Sequence, residues 1–477
     1  MGLTRFLVPR REQLPAKAAE RAYLAGLDDI PWRTHVTLAD DGLVAERAES
    51  ESGSFHILWN VAGRGEMLLA TATLIERDGQ YNLSVELARG TVNRLKSNVV
   101  AWEQAALEVP PPVAAATDRA MAEFVAAVAA LERPAEAADR AQRAIEAALD
   151  AGDALIAAFC DEAARVRAAQ SVKQTILFGG DLDSILPAPA LSEAFADAFN
   201  TAVVRMPWSH VEAQEGAPRW SMVDGQIAWC QAHQMRIFAG PLLEIEQTSL
   251  PDWLYLWEGN FDTILNVASN HIRAAVNRYK GRVHLWNCAA RVNNVETLSL
   301  SEEQSLRLTL RSIEIVRELD SRVPVVVSFN QPCGEYLARR EQDLSPLQYA
   351  DTLVRADLGI AGIGLEINLG SGPRLTLPRD VLEIGRQLER WTTLGLPLVI
   401  LLTIPGTGDG FTTKIQQRWL ETYLQLFSAK SAVHAVFWNQ MRDEPPANSD
   451  GRGLIDEFAH PNSTLATLAA FRKRMEF

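Results

Sequence analysis

GIAGIGLEINLG, residues 359–370, is a run of small and branched apolar residues broken by one carboxylate, Glu366, and closed by Asn368 and Gly370. Its length and composition are those of a strand buried on both faces. A carboxylate in such a strand needs a partner or a task, because burying an unpaired charge is costly. What surrounds this strand decides the fold.

From about residue 173 onward, similar apolar runs recur: 174–180, 201–207, 236–244, 282–290, 324–330, 360–368, 397–403 and 432–439. Helical patterns lie between them, as at 302–319, 345–356, 376–394 and 413–428. Strands alternating with helices over such a length predict an α/β fold, a closed (β/α)8 barrel spanning 173–477. In that fold the C-terminal ends of the strands carry function. Glu366 lies at such an end. The two-residue period of a strand puts Gly364, Glu366 and Asn368 on the inward face, with Leu365 and Ile367 toward the helices.

The segment before the barrel reads as two parts. Residues 1–91 hold short strand candidates at 55–61, 66–76 and 81–88, parted by Gly63-Arg64-Gly65 and Arg77-Asp78-Gly79. They predict a small β-sandwich, either a structural cap or a carbohydrate-binding module. Residues 92–172 are rich in Ala, Glu and Arg at helical spacing, punctuated by Pro110-Pro111-Pro112 and Pro134. They predict a connector of two or three amphipathic helices.

Composition narrows the function. A chain of 477 residues with net charge −14 has no basic stripe for phosphates, which argues against a nucleic-acid partner. No apolar run reaches the roughly 18 residues of a membrane span. The opening MGLTRFLVPRREQLPAK lacks the apolar core of a secretory signal, so the expected location is cytoplasmic. Cys160, Cys230, Cys288 and Cys333 are widely spaced and expected to be free thiols. The 8 histidines show neither HxxxH nor HExxH spacing, so no metal site and no cofactor are expected. The oligomeric state is left open.

The strand ends supply a polar ring. In chain order they offer Asp181 and Asp183; Arg205 and Trp208; Glu244 and Glu246; Asn287, Arg291 and Asn293; Asn330, Gln331 and Glu335; Glu366 and Asn368; Thr403; and Trp438, Asn439, Gln440 and Arg442. Acids and amides bind hydroxyl groups, and tryptophan faces stack on sugar rings, so the set suits a carbohydrate, an oligosaccharide or glycoside. Glu366, Glu335 and Glu244 are the candidate catalytic carboxylates. Arg205, Trp208, Asn287, Arg291, Asn330, Asn368, Trp438 and Asn439 are the candidate substrate-binding residues. GTGDG, 406–410, lacks the lysine and spacing of a phosphate loop and reads as a flexible turn.

The segment FNTAVVRMPWSHVEAQEGAPRWSMVDGQIAWCQAHQMRIFAGPLL, with Met206, Trp208, Glu212, Gly216, Trp220 and Asp224 in order, resembles the second to third strand region of glycoside hydrolase family 10, the retaining endo-xylanases. LPDWL (250–254), RYKGRVHLWN (278–287), AGIGLEINL and the closing WNQMRDE…GLIDEFAHPNSTLATLAAF are similar to later segments of the same family. The resemblance implies a barrel and a carbohydrate substrate. It also implies a glutamate general acid after the fourth strand and a glutamate nucleophile after the seventh. This sequence departs at both: Trp286-Asn287-Cys288-Ala289-Ala290-Arg291 ends in an arginine, and VILLTIPG contains no acid. The histidine and tryptophan that the family carries on its third strand are also replaced, around GPLLE. Retaining hydrolysis needs two carboxyl groups about 5–5.5 Å apart and inverting hydrolysis about 6.5–9.5 Å. Neither pair can sit on the fourth and seventh strands here. Three readings follow: a glycosidase with a relocated pair drawn from Glu366, Glu335 and Glu244; a carbohydrate binder without turnover; or a scaffold that kept only the fold. In the first, Arg291 holds one of these carboxylates ionised; in the last, Arg291 and Glu366 form a buried ion pair that fills the old site.

Overall fold

The computed structural model describes residues 2–48, 50–105, 107–169, 176–406, 411–443, 451–456 and 460–475. Eight parallel strands form a closed barrel. Its first to eighth strands are Leu177–Asp181, Thr201–Val204, Arg236–Ala239, Leu285–Ala290, Val325–Asn330, Gly362–Asn368, Leu398–Thr403 and Val433–Trp438. The ring closes where the eighth strand pairs with the first, Trp438 opposite Gly180. The sixth strand is central: Glu366 stands beside Asn330 of the fifth and Leu401 of the seventh. With neighbours on both edges and cover on both faces, its apolar run and lack of polar alternation are explained.

Below the mouth the barrel interior is filled by Val203, Phe238, Val326, Val399, Leu401 and Phe437. Gly364 is part of this packing, since a Cβ there would lie 2.2 Å from Ser328 Oγ. The third strand is broken at Gly240-Pro241 and resumes at Leu243–Glu244, both pieces pairing with the fourth strand. Gly240 has φ +111°, and a Cβ on it would meet the Asn287 carbonyl oxygen at 2.3 Å. Only glycine lets the chain pass so close and set Glu244 on the rim.

Two four-stranded sheets precede the barrel. One orders Thr34–Leu38, Gly42–Arg47, Gly2–Leu7 and Gln80–Asn82; the other Pro31–Trp32, Tyr23–Ala25, Ser54–Val61 and Gly65–Ala70. They face each other through Phe6 and Phe55, whose rings stack at 4.4 Å. The stretch 81–88, expected as a strand, is one only to Asn82. Asn82 caps a helix instead, its side chain accepting from the Val85 N–H at 3.4 Å, and helix Leu83–Gln104 follows. Helices Pro111–Ala129 and Pro134–Ala169 complete a three-helix connector. The last buries Ala137, Ala141, Ala144, Ala148, Ala151 and Leu155 on one face. Small side chains there let the backbone come close to the barrel: a Cβ on Gly152 would touch Leu382 at 3.1 Å.

Ion pairs join the parts. Arg64 of the sandwich reaches Asp150 at 2.7 Å and Asp153 at 2.9 Å in the connector. Arg94 of the connector reaches Asp380 of the barrel at 2.9 Å. No helix is long and apolar enough to cross a membrane among the described residues.

Candidate functional site

Glu366 ends the polar face of the sixth strand and points into the mouth, as the strand period requires. It is 3 % exposed. Arg291 Nε donates to its Oε2 at 3.0 Å, and Asn368 Nδ2 donates to the same oxygen at 3.5 Å. Arg291 follows directly on the fourth strand with φ +57°, a left-handed conformation that residues other than glycine seldom take. That turn swings the guanidinium back across the mouth. There it serves three carboxylates: Glu366, Glu244 Oε1 at 3.3 Å, and Glu246. The left-handed turn costs on the order of 1–3 kcal/mol and persists because these contacts over-determine it.

A second guanidinium continues the cluster. Arg205, just past the second strand, contacts Glu244 at 3.3 Å and Asp181 at 3.6 Å. Ser249 Oγ donates to the other oxygen of Glu244 at 2.7 Å. Burial works to raise the Glu244 carboxyl, but Arg205, Arg291 and Ser249 outweigh it and hold it below the usual range. Burial likewise works to lower the Arg291 guanidinium, and Glu366 and Glu244 outweigh it and hold it above the usual range. Asp181 differs. Burial pushes its carboxyl up to about 7, against the pull of Arg205, with Asp183 and Glu244 adding to the rise. The Asp183 N–H donates to it at 2.7 Å.

Beside the clamp lies a cleft of about 300 Å3, lined among others by Asp181, Arg205, Arg291, Asn368, Thr403 and Asn439. Asn368 organises its floor: its Oδ1 accepts from Thr403 Oγ1 at 3.1 Å and from Asn439 Nδ2 at 3.2 Å. Glu366 and Glu244 do not line this cleft; they lie behind the guanidinium groups. A smaller recess of about 60 Å3, formed by Glu246, Arg291, Asn330 and Arg374, adjoins it. Among the described residues no group of three or more His, Cys, Asp or Glu is placed to hold a metal ion.

The structure therefore brings Glu366, Glu244, Arg205, Arg291, Asn330, Asn368 and Asn439 to one place. Four other sequence candidates are elsewhere. Glu335, expected beside Glu366, turns away after Gly334 and is buried against Arg379 at 2.6 Å. Arg379 in turn donates to Tyr23 of the sandwich at 3.0 Å, so Glu335 belongs to the seam between sandwich and barrel. Trp208 opens a short helix, stacks on His271 at 4.7 Å and donates to Glu212 at 2.8 Å. It is 3 % exposed and offers no face to the cleft. Trp438 faces the helix layer, 2 % exposed, with its N–H on the Arg452 carbonyl at 3.1 Å. Asn287 lies below the mouth at a bulge in the fourth strand, accepting from Ser328 Oγ at 3.2 Å. The turn expected at 406–410 lies outside the described residues except for Gly406. Sequence reasoning missed Arg374, which holds Glu246 at 2.8 Å from the loop after the sixth strand.

Residues 169–306 match the model of Glycosyl hydrolase family 10. That match runs through the first four barrel strands. Among solved structures, native xylanase 10B of Thermotoga maritima is 18 % identical, with TM-score 0.50 over 64 % of this chain and 97 % of its own. Xylanase 10B of Thermotoga petrophila, in complex with xylobiose, is 17 % identical, with TM-score 0.49 over 63 % of this chain and 95 % of its own. The similarity to family 10 thus lies in residues 169–306, within a closed (β/α)8 barrel that carries a sandwich and a helical connector on its N-terminal side.

Proposed function

We propose that the chain binds a saccharide at the barrel mouth without the two-carboxylate hydrolysis of family 10. One observation carries this reading: Arg291 occupies the end of the fourth strand and clamps Glu366 and Glu244 behind it. A carboxylate shared by guanidinium groups is a poor proton donor, and one screened from the cleft is a poor nucleophile. The polar groups that do face the cleft are amides, a hydroxyl, the two neighbouring aspartates Asp181 and Asp183, and arginines. They fix hydroxyl groups by hydrogen bonds. The family match and the xylobiose held by a protein of the same fold make a pentose or hexose oligosaccharide the first ligand to try.

The test is calorimetric titration with xylobiose and cellobiose, on the native chain and on Asn439→Ala. The reading expects saturable binding by the native chain. It expects at least tenfold weaker binding by the variant, which removes a cleft-lining amide but no ion pair. Equal affinity in both would remove the ligand from this cleft.

A further inference from the structure

We infer that the N-terminal sandwich shapes the binding site without touching the ligand: Arg21 is a positioning residue that holds the loop 370–379, after the sixth barrel strand, where Leu375 walls the mouth cleft. This role rests on the saccharide-binding reading above and gives the sandwich a task in it. Leu375 brings an apolar side chain to a lining made chiefly of charged and amide groups. A sugar ring carries C–H faces as well as hydroxyl groups, so such a wall sets how the ring lies against the polar groups that fix its orientation.

Burial alone does not place this loop. Pro373 and Arg374 are exposed and Leu375 is only half-buried. The loop folds back on itself, the Gly370 N–H donating to the Thr376 carbonyl at 3.0 Å and the Leu375 N–H to the Gly372 carbonyl at 3.1 Å. The Leu375 side chain lies over two glycines: a Cβ on Gly370 would come within 2.6 Å of its Cδ1, and one on Gly372 within 3.2 Å. Holds from outside then set where the folded loop stands. From the barrel, Gln331 Nε2 donates to the Pro373 carbonyl at 2.7 Å and to the Leu375 carbonyl at 3.3 Å. From the sandwich come three more. Arg21, on the short helix Ala18–Arg21, donates from Nη2 to the same Leu375 carbonyl at 3.5 Å. The Tyr23 hydroxyl accepts from Arg379 Nη2 at 3.0 Å. The Leu68 N–H, on the edge strand Gly65–Ala70, donates to the Pro378 carbonyl at 2.6 Å.

A second route leads the same way. Arg374 lies 2.8 Å from Glu246, which pairs with Arg291 of the cleft. On its other side a relay of ion pairs runs from Arg374 to Glu296 at 3.7 Å and on to Arg340. Beside Arg340, Arg339 donates to the Ala22 carbonyl at 2.9 Å. The loop is thus tied, directly or through its neighbours, to three consecutive residues of the sandwich: Arg21, Ala22 and Tyr23. Arg21 and Tyr23 line neither the cleft nor the recess beside it, and both are buried. An effect of theirs on affinity has to travel through the loop.

The experiment is a double-mutant cycle on the full protein. Xylobiose and cellobiose are titrated by calorimetry into the native chain, Arg21→Met, Leu375→Ala and the double variant. Arg21→Met should bind about fivefold more weakly than the native chain and Leu375→Ala about tenfold, while the double variant should bind no more weakly than Leu375→Ala, because the wall through which Arg21 acts is already gone. Should Arg21→Met fail to fold, Tyr23→Phe, which removes only the hydroxyl held by Arg379, decides alone: it should weaken binding about threefold in the native chain and not at all beside Leu375→Ala. Native affinity in the folded single variant, or losses that multiply to about fiftyfold in the double variant as independent sites would, overturns the positioning role and leaves the mouth reading intact. No saccharide bound by the native chain overturns both.

Discussion

Arg291 Nε lies 3.0 Å from Glu366 Oε2. A guanidinium at the end of the fourth barrel strand thus holds a carboxylate at the end of the sixth, across the mouth. The same guanidinium reaches Glu244 and Glu246, so one cation faces three acids in a place where water is scarce. Its removal and theirs are not symmetric.

Arg291→Met leaves Glu366 and Glu244 buried with Arg205 as the remaining local cation. Removing one partner of a buried pair costs about 3–5 kcal/mol. Glu366→Gln leaves Arg291 two other carboxylates, so its cost is about 1–2 kcal/mol, a charge-assisted hydrogen bond weakened to a neutral one. Urea unfolding of the two variants checks the order. A larger loss for Glu366→Gln than for Arg291→Met would mean that Glu366, not Arg291, organises the cluster.

Glu335 and Arg379 make the seam. Glu335 Oε1 accepts from Arg379 at 2.6 Å and from the Leu377 N–H at 3.1 Å, and both side chains are buried. Glu335→Gln strands a buried guanidinium, at a cost of about 3–5 kcal/mol. Arg379 also holds the Tyr23 hydroxyl, so the loss is expected first at the sandwich. Hydrogen exchange of residues 23–25 in the variant should speed up before exchange in the sixth barrel strand. Uniform acceleration across both would contradict a role confined to the seam.

Stability against pH should hide two opposed slopes. Asp181, raised to about 7 from 3.8 mainly by burial, binds its proton in the folded state where the unfolded chain has lost it. Its contribution is present below about pH 4 and is lost as pH rises toward 7, by up to about 4 kcal/mol. His56, lowered to about 3 from 6.5 mainly by burial, stays neutral in the folded state. Its contribution is present above pH 6.5 and is lost as pH falls toward 3, by a similar amount. Between pH 4 and 6.5 the two nearly cancel. Asp181→Asn should therefore unmask a stability that rises with pH across that window, and His56→Gln one that falls. Thermal melts at pH 4.5, 5.5 and 6.5 measure both. Parallel curves for the native chain and both variants would show that neither group titrates differently on folding.

The barrel could be read from the chain because its strands are long, apolar and regularly spaced, and parallel strands covered by helices leave that trace. The inward turn of Glu366 followed from the two-residue period. Loops carry no such period. Nothing in QPCGEYL announces that Gly334, at φ +78°, sends Glu335 under the sandwich to meet Arg379, 44 residues further on. Arg374 and the relay through Glu296 were hidden for the same reason. Trp208 follows the second strand and Trp438 ends the eighth, yet one begins a helix and the other faces outward, which a count of residues to an unmarked strand end cannot tell. YNLSVELA fits both a strand and a helix period. The Asn82 cap decides for the helix.

The central claim is that the clamp at Arg291 leaves the mouth able to hold a saccharide and unable to cleave it. The most direct measurement incubates xylohexaose and cellohexaose with a molar excess of the protein and follows their masses over a day. The account predicts intact hexaose, indistinguishable from a protein-free control. Shorter sugars appearing at ordinary enzymatic rates, about 1 s⁻¹ or faster, would contradict it and place a working carboxylate pair at this mouth.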